Sequence, residues 1–359
     1  MSRQVALDNL QLKDPERWGH SEYSLDYHAD YLRQRTGVEP GKPGFDAAVR
    51  ETFQFDFEFR TNDGLIDWAQ AGRVSDMGHA VYAADGTDQR EPTPSPFQTP
   101  EQVWEFDAVT EYGLPDEKDQ IAAYEQMVIN ARTNAPRVVQ PLGTYKTIMS
   151  GAIASFGWDM LLLAASDQQK MSTVLDSFFR RAHFLYRCIA QTSTEVVLTH
   201  DDFVWTSGPF LHPEVYREVI IPRYKALWDE VHKTGKTVVF CSDGDFTEFA
   251  EDVVDAGADA LIFEPCCDYG FMHERVGDRC CLIGSYVDCR DLTFGHWDKV
   301  KNDIDRTFET LQDSRGAIVA VGNHLPPNIP AEMLDRYFKE ILPRLEKARS
   351  CPEKSRAIH

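Results

Sequence analysis

Short apolar runs alternate with longer amphipathic stretches over most of the chain. Residues 137–140, 195–198, 237–240, 260–263, 281–284 and 317–321 are brief, β-branched and apolar, the pattern of strands buried on both faces. Residues 120–130, 145–165, 168–190, 213–233, 297–311 and 331–345 carry helical spacing. Residues 53–59 alternate Phe with Gln, Asp and Glu, a period-two strand that reads as the first of the set. Strand and helix in regular alternation predict a parallel sheet. About eight strands with no dividing linker predict an α/β chain of the (β/α)8 TIM-barrel class with an N-terminal extension. The expected division is an extension over 1–50 packed on the barrel, the barrel over 51–346, and a polar tail over 347–359.

In such a barrel the carboxyl ends of the strands carry the chemistry. Residues 237–240 end in Cys241, residues 260–263 in Glu264, and residues 317–321 lead to Gly322-Asn323-His324. One thiolate, one carboxylate and one imidazole suit a catalytic zinc that keeps an open position. Asp243 is a further ligand candidate or a helix cap, Cys289 a reserve ligand or a core thiol. Glu264 and His324 also admit structural roles as an ion-pair partner and a turn anchor. Residues 195–198 run into His200-Asp201-Asp202, whose carboxylates orient a ligand or hold substrate.

Charge narrows the partners. The 58 acidic and 37 basic residues give −21, against nucleic acid and against anionic membranes. No run of 18 apolar residues and no export signal are found, so a cytoplasmic protein is expected. The eight cysteines then read as thiols. Cys266-Cys267 and Cys280-Cys281 are adjacent pairs, which on a strand point to opposite faces and cannot share one metal. No phosphate loop or dinucleotide fingerprint occurs. Residues 60–100 form a long loop-rich excursion with Asp76 and His79, a candidate pocket wall.

The segments HDDFVWTSGPFLHPEVYREVIIPRYKAL, KTVVFCSDGD, AGADALIFEP, CLIGSYVDCRDLTFG and VAVGNHLPPNIP, in this order, resemble the uroporphyrinogen decarboxylase superfamily. That superfamily contains porphyrinogen decarboxylases and corrinoid-linked zinc methyltransferases. The decarboxylase opening is not matched: Gln70-Ala71-Gly72-Arg73 lacks its flanking residues. The methyltransferase metal slots are matched in place, with Cys241, Asp243 and Asn323-His324 standing where a His-x-Cys and a later Cys are usual. The resemblance implies the O-demethylating branch. A zinc ion and a corrinoid (cobalamin) carried by a partner protein would act on a methoxylated small molecule, with a homodimer as an admissible assembly. Under it Asp202 and Asp243 are catalytic acids. Asp76, His79, Tyr145, Trp205 and Tyr286 line the substrate site, and Cys241, Glu264 and His324 hold the metal. Methyl transfer from a corrinoid to a thiol or tetrahydrofolate, metal-free decarboxylation and a non-catalytic barrel stay open at this point.

Overall fold

The computed structural model describes residues 2–13, 15–63, 95–322 and 324–347. Among the described residues eight strands form one sheet: β1 Gly19–His20, β2 Asn62–Asp63, β3 Leu142–Tyr145, β4 Val196–His200, β5 Thr237–Cys241, β6 Ala260–Ile262, β7 Cys281–Ile283 and β8 Ala317–Val319. Neighbours run β1-β8-β7-β6-β5-β4-β3-β2, and every pair is parallel. The ring closes through residues 56–58. Asp56 N–H donates to His20 O at 2.9 Å, and Glu58 N–H to Val139 O at 2.9 Å. The fold is therefore the expected (β/α)8 barrel.

Pleating sorts the side chains. Val196, Leu198, Val239, Ala260, Cys281 and Ile318 point into the barrel, while Val197, Val238, Leu261 and Leu282 pack outward against the helices. Helix Arg3–Leu10 closes the amino-terminal mouth with Ala6, Leu7 and Leu10, and Asn9 Oδ1 accepts the Ala317 N–H at 2.9 Å. A separate outer cluster joins Leu25, Phe53 and Phe55 to helix Ala331–Lys347.

Two strand expectations are corrected. The first strand is Gly19–His20, inside the stretch read as peripheral. Of residues 53–59, Phe53 and Phe55 belong to the outer cluster beyond helix Phe45–Thr52, and the wall begins at Asp56. The acidic face expected there is neutralised, because Arg17 makes a two-pronged ion pair with buried Asp56 at 2.8 Å on each side. The expected strand 137–140 is displaced to Leu142–Tyr145. Val139 only bridges Phe57, and Pro141 has no N–H to continue the ladder. The helical stretch 145–165 is split into Met149–Phe156 and Trp158–Ala164 by Gly157 at φ +73°.

Candidate functional site at the carboxyl ends of β3 to β6

Tyr145, His200 and Cys241 are the last residues of β3, β4 and β5, and they stand side by side in register. The Tyr145 and His200 rings stack at 4.1 Å, and Phe59 meets His200 edge-on at 5.4 Å. Tyr23 in turn lies 4.4 Å from the Phe59 ring.

Beyond His200 the backbone turns two aspartates to opposite tasks. Asp201 is wholly buried and accepts five donors: the N–H groups of Ile148, Met149 and Ser150 and the hydroxyls of Ser150 and Tyr224. It caps helix Met149–Phe156, and its acceptors are all taken up by the protein's own donors. Asp202 accepts the Tyr145 hydroxyl at 2.9 Å, the His200 Nε2 at 3.1 Å and the Asp243 N–H at 2.9 Å. Burial alone would raise its pKa, but His200 and these bonds hold it below the ordinary carboxyl value. Burial and then Asp202 and Asp243 push the Tyr145 hydroxyl well up.

His200, Asp202 and Asp243 form a group whose ligating atoms all lie within 4.8 Å of one another. The Nδ1 of His200 is buried with no hydrogen-bond partner among the described residues. With Nε2 bonded to Asp202, this nitrogen is left for a ligand. Cys241 is 3% exposed. Burial, Asp243, Asp202 and Glu264 drive its thiol pKa well up. A cation at this place would reverse that balance.

Glu264 follows β6 and accepts the Gly244 N–H at 2.6 Å. Gly244 has φ +86°, and a Cβ there would sit 2.7 Å from Trp205 O. The loop after β5 thus lies flat against Trp205, whose carbonyl takes the Asp245 N–H at 2.9 Å. Trp205 is 41% exposed and joins Trp158 and Phe210 in an aromatic ledge.

The structure brings together Asp202, Asp243, Cys241, Glu264 and Tyr145 of the expected residues. Cys241, Glu264 and His324 do not themselves form such a close three-donor group among the described residues. His324 is buried after β8, and Cys289 sits in the outer cluster. Tyr286 turns outward, under Arg306 at 3.7 Å and beside helix Trp297–Thr310. Asp76, His79, Asn323 and the 70–73 segment lie outside the described residues. His200, Tyr23 and Phe59 were not singled out from the sequence. A polar residue ending an apolar strand was the available signal for His200.

Comparison with known proteins places these elements. The model of the uroporphyrinogen decarboxylase (URO-D) family matches residues 148–341. No curated protein matches the chain. Among solved structures, a methyltransferase from Methanosarcina mazei aligns with 15% identity over 95% of this chain and 99% of its own, with a TM-score of 0.63. A xylose isomerase-like TIM barrel protein from Mycobacterium smegmatis, in complex with magnesium, aligns with 13% identity over 75% and 94%, with a TM-score of 0.33.

Proposed function

Since the chain belongs to the uroporphyrinogen decarboxylase (URO-D) family, we propose that it is a corrinoid-linked methyltransferase of that family, moving a methyl group from a methoxylated small molecule to a corrinoid protein. The M. mazei methyltransferase is the structural likeness in support. The observation that carries the reading is the group His200, Asp202 and Asp243 with Cys241 beside it. Three carboxylates around this mouth, counting Glu264, suit a polycarboxylate porphyrinogen poorly, because like charges repel.

The donors fit a zinc ion. Cys241 offers a thiol, Glu264 a carboxylate, and His200 a ring nitrogen with no partner among the described residues; His324 is the proposed donor from the far wall. Zinc bound there would supply a Lewis acid for the ether oxygen. The chain's own residues do the rest. Asp202 fixes the tautomer and tilt of His200 while Tyr145 and the Asp243 N–H fix Asp202. Asp243, half-buried, returns a proton to the departing oxygen. Trp205 and Phe59 offer aromatic walls, and Asp76 and His79 remain proposed lining residues.

The test uses the purified protein. About one zinc per chain is expected, lost in Cys241→Ala with the fold retained. Added to a reduced corrinoid protein and a methoxylated donor, the protein should shift the corrinoid's visible spectrum and release an equal amount of alcohol or phenol. Turnover only with methyl-corrinoid and a thiol or tetrahydrofolate would reverse the direction. Absence of metal would point to decarboxylation.

A further inference from the structure

We propose that Cys266 supplies a second thiolate to this metal centre, chelating the ion together with Glu264; the inference rests on the zinc reading above. The pair Cys266-Cys267 lies in a turn, not on a strand. The Cys267 N–H donates to Glu264 O at 2.9 Å and closes a tight turn over 264–267. The alternation that separates neighbouring side chains on a strand does not apply there. Cys280-Cys281 shows the contrast. Cys281 heads β7 and faces the barrel interior, while Cys280 packs in the outer layer.

In the 264–267 turn both sulfurs lie next to groups bonded to Gly244. Cys267 is buried, and its S–H donates to Gly244 O at 3.3 Å. Cys266 is half-buried, and its Sγ lies 3.9 Å from Glu264 Oε2, the oxygen that accepts the Gly244 N–H. Zinc–sulfur and zinc–oxygen bonds of about 2.3 and 2.0 Å at a tetrahedral angle put the two ligand atoms roughly 3.5 Å apart. The observed spacing therefore needs only a few tenths of an ångström of closure. Cys267 anchors the turn through Gly244 O, and Cys266 is the sulfur beside Glu264. Among the described residues the other cysteines are placed elsewhere: Cys188 and Cys280 in the helical layer, Cys289 in the outer cluster, Cys281 within the barrel. Cys241, at the end of β5 in register with His200 and within electrostatic reach of Glu264, is the first thiolate. On binding, the Cys266 S–H bond breaks, the proton leaves to solvent and the sulfur lone pair forms the metal bond.

The test is cobalt(II) substitution of the full chain. Thiolate-to-cobalt charge transfer in the near ultraviolet reports how many thiolates bind each ion. Cys241→Ser and Cys266→Ser should each lose about half the wild-type intensity per bound cobalt, and the double variant nearly all of it. Cys280→Ser serves as control and should keep the full intensity. Circular dichroism confirms that each variant is folded. If Cys266→Ser binds cobalt with undiminished intensity, the inference fails while the metal reading stands. If the wild-type protein binds neither cobalt nor zinc, the metal reading falls with it.

Discussion

Asp201→Ala should destabilise the protein far more than a surface change. The substitution removes the acceptor for five donors in a fully buried place. The Ser150 and Tyr224 hydroxyls can rotate towards other acceptors, but the N–H groups of Ile148, Met149 and Ser150 are fixed at the start of their helix. Each buried donor left unpaired costs about 1–3 kcal/mol, partly offset by relief from burying a carboxylate, so the net loss is about 3–5 kcal/mol. With an unfolding entropy of about 2.1 cal/mol/K per residue, that is a midpoint drop of roughly 4–7 °C for a chain of this length. Asp201→Asn keeps one oxygen in place and should lose roughly half as much. Differential scanning calorimetry on the three proteins reads the drop directly. An Asp201→Ala midpoint within about 1 °C of the parent would refute the reasoning, since the helix start would then not depend on this carboxylate.

Gly244→Ala should cost about 2–4 kcal/mol, from the positive φ and from a Cβ pressed against Trp205 O, and should loosen Glu264; chemical denaturation and zinc affinity measure the two effects. Tyr145→Phe removes the hydroxyl that donates to Asp202 and should cost about 1 kcal/mol while weakening metal binding; unchanged affinity would separate Tyr145 from the site. Asp202, held below its ordinary value, contributes stability above about pH 4 that is lost as pH falls further, so Asp202→Asn should flatten the acid limb of the stability profile. Asp201, raised by burial in spite of its donors, has the opposite slope: its share is present at low pH and shrinks as pH rises.

Much of the barrel was legible because β4 to β8 are apolar runs separated by helices, a local signal. The β1 strand was not. Gly19–His20 has no pattern of its own and exists because Ile318 and Val319 pair with it from the far end of the chain. Residues 53–59 misled because their Phe spacing serves an outer cluster in its first half and the barrel wall only in its second. At the site, strand-end position pointed to Cys241, Asp202 and Asp243, which the structure sets near one another. It could not tell Asp201 from Asp202, since adjacent residues of one type differ only in which side the backbone turns them. The same limit applied to Tyr286, which leaves β7 after Gly284 at φ +154° and ends up among helices. Strand alternation separates the side chains of adjacent cysteines only where they lie on a strand, and the turn at 264–267 removes that premise for Cys266-Cys267.

The pairing of Gly19 with Ile318 also fixes a schedule. About 300 positions separate these two paired strands, so during synthesis at roughly 5–20 residues per second the first strand waits on the order of 15–60 s for its neighbour. Until then the amino-terminal helix has no β8 to close against, and the inward faces of β3 to β7 form an open, unsealed sheet. Such edges invite pairing with other chains. The interval before closure is where a chaperone would earn its keep, and where a slowed ribosome late in the message would raise the risk of aggregation most.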